Sequence, residues 1–245
     1  ICFYGGTGTT AYGQNITIDS NTITNQYYYP VYLYYNSLTS LSYNTVLSRI
    51  NNANTYWYAM MIYYSNHRMT NSNRILQRTT TITYPYGMYL YYSNYSSYTS
   101  DTGLSMNNEI ILNTTSTYYG MYAPYSTLKI YHNSVLMQGS GASRGLYLSG
   151  TDPVDVRNNI FVTSSSGYPI YMGTAAQPFT ADYNNYYGGS YIGYNNGNIT
   201  TLAAWRTTTG QDAHSVKISP SFKMTDSAYL DLYSVAGMYC PIVTQ

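Results

Sequence analysis

The chain has 245 residues, with ten basic and nine acidic side chains, a formal net charge of +1, and 36 Tyr against four Phe. That length can bury the core of one large domain or two small ones, and so sparse and balanced a charge excludes the basic surface that nucleic acid requires. No apolar run approaches the roughly 18 residues that span a bilayer, and Cys2 and Cys240, at opposite ends, exclude a multi-disulfide scaffold.

Tyrosine supplies the bulk that few Leu, Ile, Val and Phe provide, and an aromatic, β-branched composition poor in Ala, Glu and Lys favours strands over helices. The opening "ICFYGG" begins inside a repeating phrase, so the chain is expected to be a piece of something longer. "YGGTGTTAYG" reads as a loop, since no Lys-Ser or helix pattern follows to make it a phosphate cradle.

From residue 14 onward one phrase recurs. "LKIYHNSVL" (128–136) and "VDVRNNIFV" (154–162) share a pattern whose sixth position reads, along the chain, Asn21, Asn44, Asn73, Glu109, Asn133, Asn159 and Asn184. Apolar residues precede it (Ile18, Leu41, Met106, Ile130, Val156) and follow it (Ile23, Val46, Ile75, Ile111, Val135, Phe161), in strand-type alternation broken at one place. A second phrase interleaves: "PVYLYYN", "AMMIYYSN", "GMYLYYSN", "GMYAPYS", "GLYLSG" and "PIYMGT". It precedes the next ladder position by 12 to 14 residues, except for an interval of 21 that holds the polar insertion "SNYSSYTSDTG".

Units of about 25 residues with two or three short strands and no helical pattern predict a coil of parallel strands stacking on its neighbours. The recurring Asn has a mechanical reason. It tolerates a left-handed turn, and its amide can both donate to and accept from the equivalent amide one coil away, at about 4.8 Å. The expected fold is all-β: a parallel β-helix of about seven coils over residues 1–198, with an Asn ladder at 21, 44, 73, 133, 159 and 184. A C-terminal extension or cap should occupy 199–245. There "TTLAAWRTTTG" (200–210) predicts a helix with a Thr cap and a Gly stop, and "PSF" and "YLDLYS" predict closing strands.

The pattern resembles right-handed parallel β-helix proteins of the pectate-lyase-like superfamily, over roughly residues 14–190. "RNNIFV", "ADYNNYY" and "LAAWRTTTGQDAHSVKISPSF" resemble, more narrowly, secreted and surface β-helix proteins of Bacteroidetes. The resemblance implies an extracellular or cell-surface location, and it admits a polysaccharide lyase or hydrolase, whose catalytic groups lie on an outward strand face in that superfamily.

Within the second phrase alternate residues should point outward, giving one column of Tyr32, Met61, Tyr89, Tyr122, Tyr147 and Tyr171 and another of Tyr34, Tyr63 and Tyr91 that fades to Pro124, Ser149 and Gly173. A third set (Tyr29, Tyr58, Tyr86, Tyr119, Arg144, Tyr168) has no direction fixed by alternation, because Gly or Pro intervenes. These tyrosines are either a platform for sugar rings or a second copy of the chain, or cross-strand pairs that stabilise the sheet.

Charged residues gather on the last coils, where the alignment stacks Lys129 on Asp155 and Arg157 on Asp182, beside Tyr131 and His132. Asp155, Arg157 and Asp182 are the enzyme-like candidates, although favourable cross-strand pairing is the better account of them. His67 and His214 stand apart from ligand spacing, and no cofactor or metal is implied. Sequons at Asn15, Asn94, Asn113 and Asn198 are weak signals in an Asn- and Thr-rich chain. The expectation is therefore a non-catalytic structural or adhesive module whose tyrosine face meets glycan or other copies of itself, end to end or laterally. The alternative is a glycan-cleaving enzyme.

Overall fold

A computed structural model describes residues 1–7, 12–51, 53–97, 99–164, 166–220, 222–224 and 231–234. The chain winds as a parallel β-solenoid of about seven turns. Each turn contributes one strand to each of three sheets, and the core is the space the sheets enclose.

The tyrosine sheet runs from Cys2–Tyr4 through Val31–Tyr34, Tyr56–Tyr63, Tyr84–Tyr91, Tyr118–Pro124, Ser143–Ser149 and Tyr168–Met172 to Gly193–Asn195, where Asn198–Ile199 closes it antiparallel. The second sheet runs from Gly13–Asp19 to Phe179–Asp182, and the third from Thr22–Gln26 to Asn185–Tyr187. Inward residues form files along the axis. Val46, Ile75, Ile110, Val135, Phe161 and Tyr186 are one such file, each in register with the next and each fully buried.

In the tyrosine sheet, alternation breaks because two consecutive residues face inward: Gly87 and Met88, Gly120 and Met121, Gly145 and Leu146. The first of each pair is Gly because the third sheet presses in there. A Cβ on Gly87 would meet Ile110 at 2.5 Å, on Gly120 Val135 at 2.4 Å, and on Gly145 Phe161 at 3.2 Å. That double step turns Tyr58, Tyr86, Tyr119, Arg144 and Tyr168 outward, which alternation alone left open.

The corner between the second and third sheets carries the ladder. Asn44 donates both its backbone N–H and its Nδ2 to Asn73 Oδ1, at 3.1 and 3.0 Å. Asn73 does the same to Asn108, Asn108 to Asn133, Asn133 to Asn159, and Asn159 to Asn184. The remaining amide proton bonds a backbone carbonyl, as from Asn44 to Ile18 and from Asn159 to Ile130. Every donor and acceptor of these buried amides is thereby used, which is the condition for burying them at all.

Two expectations are corrected at this corner. Asn108, not Glu109, holds the fourth rung, because a carboxylate has no proton to donate onward. Glu109 turns out and pairs with Arg74 at 3.1 Å. The one-residue slip exchanges faces: Gly103, Ser105 and Ile110 point in, while Leu104 and Met106 point out, where the alignment had Met106 and Ile111 inside. The left-handed residue is also not the ladder Asn but the one before it: Ser20, Tyr43, Ser72, Asn107, His132, Asn158 and Tyr183, all with φ between 53° and 61°.

The predicted helix forms over Leu202–Thr209. Thr201 Oγ1 accepts from Ala204 N–H, and Gly210 at φ 69° ends it. Trp205 drops from the helix into the solenoid core beside Phe179 and Tyr186. Its indole N–H donates to Asp212 Oδ2 at 2.8 Å, while Asp212 Oδ1 and Ser215 Oγ accept from Asn184, the last rung. The closing strands Phe222–Met224 and Asp231–Ser234 pair antiparallel.

Candidate functional site

The register places the expected tyrosines in columns. Tyr32, Met61, Tyr89, Tyr122, Tyr147 and Tyr171 align rung by rung, and Tyr194 extends the file. Tyr34, Tyr63 and Tyr91 align beside them, as do Tyr58, Tyr86, Tyr119, Arg144 and Tyr168. Met61 is 8 % exposed and interrupts its column as a buried filler.

Along the columns most rings lie face to face, although Tyr63 and Tyr91 are tilted by 48°. Tyr58 and Tyr86 stack at 4.7 Å, Tyr86 and Tyr119 at 4.9 Å, Tyr89 and Tyr122 at 4.9 Å, and Tyr171 and Tyr194 at 4.4 Å, with interplanar angles of 7° to 20°. Between two of the columns the rings meet edge to face, as Tyr86 does with Tyr89 and Tyr122, whereas Tyr91 lies nearly parallel to Tyr89 and Tyr122 at 5.8 and 6.4 Å. Arg144 takes the place of a ring, its guanidinium 4.2 Å from the Tyr171 centroid and 5.0 Å from that of Tyr119, a cation–π arrangement. The rings therefore spend their faces on one another and turn edges and hydroxyls to solvent. A platform that stacks sugar rings needs the opposite.

Burial of ring against ring, reinforced by neighbouring phenols, raises the pKa of Tyr29, Tyr32, Tyr64, Tyr86, Tyr89 and Tyr122, and lifts Tyr58 to about 12. These phenols stay neutral, each both a donor and an acceptor.

A fourth column went unread in the sequence. Tyr35, Tyr64, Tyr92 and Tyr125, at the corner between the tyrosine sheet and the second sheet, all adopt φ between 46° and 53°. Their rings stack at 5.5, 4.7 and 4.7 Å. The recurring "YYN", "YYS", "YYS" and "PYS" were its only signal, since bulky residues rarely take that conformation.

The charged cluster has the predicted register, Lys129 beside Asp155 and Arg157 beside Asp182. The bonded partners differ from that stacking. Asp155 accepts from Arg157 Nε of its own strand at 2.8 Å, from the Tyr131 hydroxyl at 2.5 Å and from Thr180 Oγ1 at 2.9 Å. Asp182 accepts from His214 Nδ1 and from the His214 backbone N–H, both at 2.7 Å, and His214 stacks on Tyr183 at 4.8 Å. Burial pushes both carboxyls up, but these hydrogen bonds outweigh it and hold each below the usual range. Both are thus carboxylates at neutral pH, and neither is poised to give up a proton as a general acid.

His67 is buried, with Nδ1 bonded to Ser93 Oγ at 2.7 Å, and desolvation lowers its pKa to about 4. Among the described residues no group of three His, Cys, Asp or Glu is arranged to hold a metal. No helix among them is long and apolar enough to cross a membrane. No family model matches the chain, and comparisons with curated proteins and with solved structures find no match.

Proposed function

We propose that the chain is a non-catalytic structural and adhesive module of an extracellular or cell-surface protein. The solenoid sets spacing, and the tyrosine face joins one copy to another in a filament or sheath. The stacked phenol array carries this reading. A nine-stranded sheet presents ordered hydroxyls and ring edges, with Arg144 as the cation among its columns. Two such faces meet without charge repulsion, and each phenol can donate or accept, so the surface complements itself, as an isologous contact requires. Aromatic enrichment and depletion of charge are the marks of an interface core. The commitment of Asp155 and Asp182 as paired carboxylates argues against the glycan-cleaving alternative.

Sedimentation of the parent against a Tyr89→Ser/Tyr122→Ser/Tyr147→Ser variant tests the proposal. The parent should associate as concentration rises, and the variant should remain monomeric with its β-sheet circular dichroism retained. A parent that stays monomeric at millimolar concentration, or a variant that associates equally well, would overturn it.

A further inference from the structure

On the side of the solenoid away from the tyrosine sheet, the ladder corner opens into a groove of about 570 Å³, within the size range of small-ligand sites. Its wall follows successive corner residues: Tyr43, Ser72, Asn107 and His132, one per rung. At about 4.8 Å per rung, Tyr43 and His132 stand roughly 14 Å apart. Ser72, the shortest of the four, leaves the dip. The next outward column supplies Arg74 and Glu109.

Tyr43 differs from the tyrosines of the sheet. It is 60 % exposed, and among the described residues it stacks on no other ring, so its face remains open. Its surroundings are organised in advance. Asn71 Nδ2 reaches the Tyr43 hydroxyl at 3.5 Å, and Asn71 Oδ1 accepts from Ser72 Oγ at 3.1 Å and from Asn107 Nδ2 at 3.0 Å. Glu109, with its side chain 13 % exposed, holds Arg74 Nε at 3.1 Å, fixing a planar guanidinium whose other N–H groups are donors of set direction. Burial lowers the pKa of His132, so its imidazole is neutral at pH 7 and offers one donor and one acceptor.

An open aromatic face beside fixed donors and acceptors is the chemistry that recognises a sugar ring, whose C–H face is apolar and whose rim is hydroxylated. The groove's cation and anion neutralise each other, which favours no charged ligand. We infer that this groove binds a neutral glycan of one or two hexose units, with Tyr43 stacking on a pyranose face and Arg74, Glu109 and Asn107 bonding its hydroxyls. With one carboxylate, already paired to Arg74, the groove binds and does not cleave.

Titration calorimetry with cellobiose, mannobiose and lactose tests this, with a glucuronate disaccharide as the charged control. At least one neutral disaccharide should bind with a Kd of about 1 mM or tighter. Tyr43→Asn, chosen because Asn is at home at φ 58°, should weaken binding about tenfold or more. Tyr43→Phe, which keeps the ring, should bind within about threefold of the parent, and Glu109→Gln should lose several-fold. The triple Tyr→Ser variant of the tyrosine sheet should bind sugar as the parent does, which separates this site from the association face. The inference is overturned if no neutral disaccharide binds up to about 10 mM, if Tyr43→Asn binds like the parent, or if the glucuronate disaccharide binds more tightly than every neutral one.

Discussion

The two corners that flank the second sheet solve one problem with different side chains. Each turns on a left-handed residue followed by a polar one, which receives a backbone N–H from the preceding coil along the ladder corner and, at the other corner, at Ser65 and Ser126. At the ladder corner that residue is Asn, from Asn44 to Asn184, and the chain of bonds is unbroken. At the tyrosine corner it is Asn36, Ser65, Ser93 or Ser126. Ser65 Oγ accepts from Asn36 N–H at 3.0 Å and Ser126 Oγ from Ser93 N–H at 2.9 Å. A hydroxyl has a single proton, and Ser65 gives its own to Tyr63 O while Ser126 gives its to Leu90 O. Serine can receive but cannot pass the bond along. Register there is kept by the rings of Tyr35, Tyr64, Tyr92 and Tyr125, and the series ends at Gly150. An amide thus propagates order by hydrogen bonds, whereas a hydroxyl needs stacking beside it.

The sharpest break in that comparison is at the fourth rung. Asn108→Ala strips the acceptor from Asn73 N–H and Nδ2 and the donor from Thr70 O and Ser105 Oγ. It should cost about 3–5 kcal/mol in urea denaturation. Glu109→Ala, one residue on, should stay within about 1 kcal/mol. Equal losses would return Glu109 to the ladder.

At the other corner Tyr92 has a ring stacked on each side, and Tyr92→Ala should cost about 2–3 kcal/mol. Tyr92→Asn should recover about 1 kcal/mol of that by relieving the left-handed backbone. If Asn proves no better than Ala in thermal melts, conformational strain plays no part there. Ser126→Ala should be milder, about 1–2 kcal/mol, since one hydroxyl is removed and Ser93 N–H loses its acceptor.

A graded effect comes with alkali. Tyr64 and Tyr63 beside it titrate above the ordinary tyrosine value of about 10 when folded. Their contribution is therefore complete below that value and is lost as pH rises through the folded pKa values. The ladder has no titrating side chain. Hydrogen exchange above pH ~10 should accordingly speed up first at the tyrosine corner while the asparagine corner keeps its protection. Uniform loss at both corners would mean the columns do not act separately.

The contrast also separates what the sequence disclosed from what it concealed. Period, ladder and tyrosine columns were legible because solenoid contacts repeat at near-constant spacing, and the helix was legible from Thr201 and Gly210. Asn108 was hidden by the pair "NNEI" following the insertion, where either neighbour satisfied the apolar pattern. That insertion folds down along the sheet, Ser96 N–H reaching Asp152 Oδ1 at 3.0 Å. The left-handed tyrosines were hidden because local preference opposes them and only ring stacking across coils supports them. His214 meets Asp182 through the path of the capping segment, 32 residues on, which no periodicity records. Tyr43 could have been found by tabulating the residue before each ladder position, where it and Tyr183 stand among Ser, Asn and His, and Tyr183 is stacked on His214.

Each ladder amide offers the same acceptor to the coil before it and the same donors to the coil after it. A whole winding, such as the stretch from 134 to 159, is consequently an interchangeable part. Removing or duplicating it would bring matching groups together without any other change, so gene duplication can set the rod's length while leaving its cross-section alone. The exception is the segment holding Asp212 and Ser215, which accepts from Asn184 without passing a bond onward. It is a terminator, and a shortened or lengthened rod must keep it.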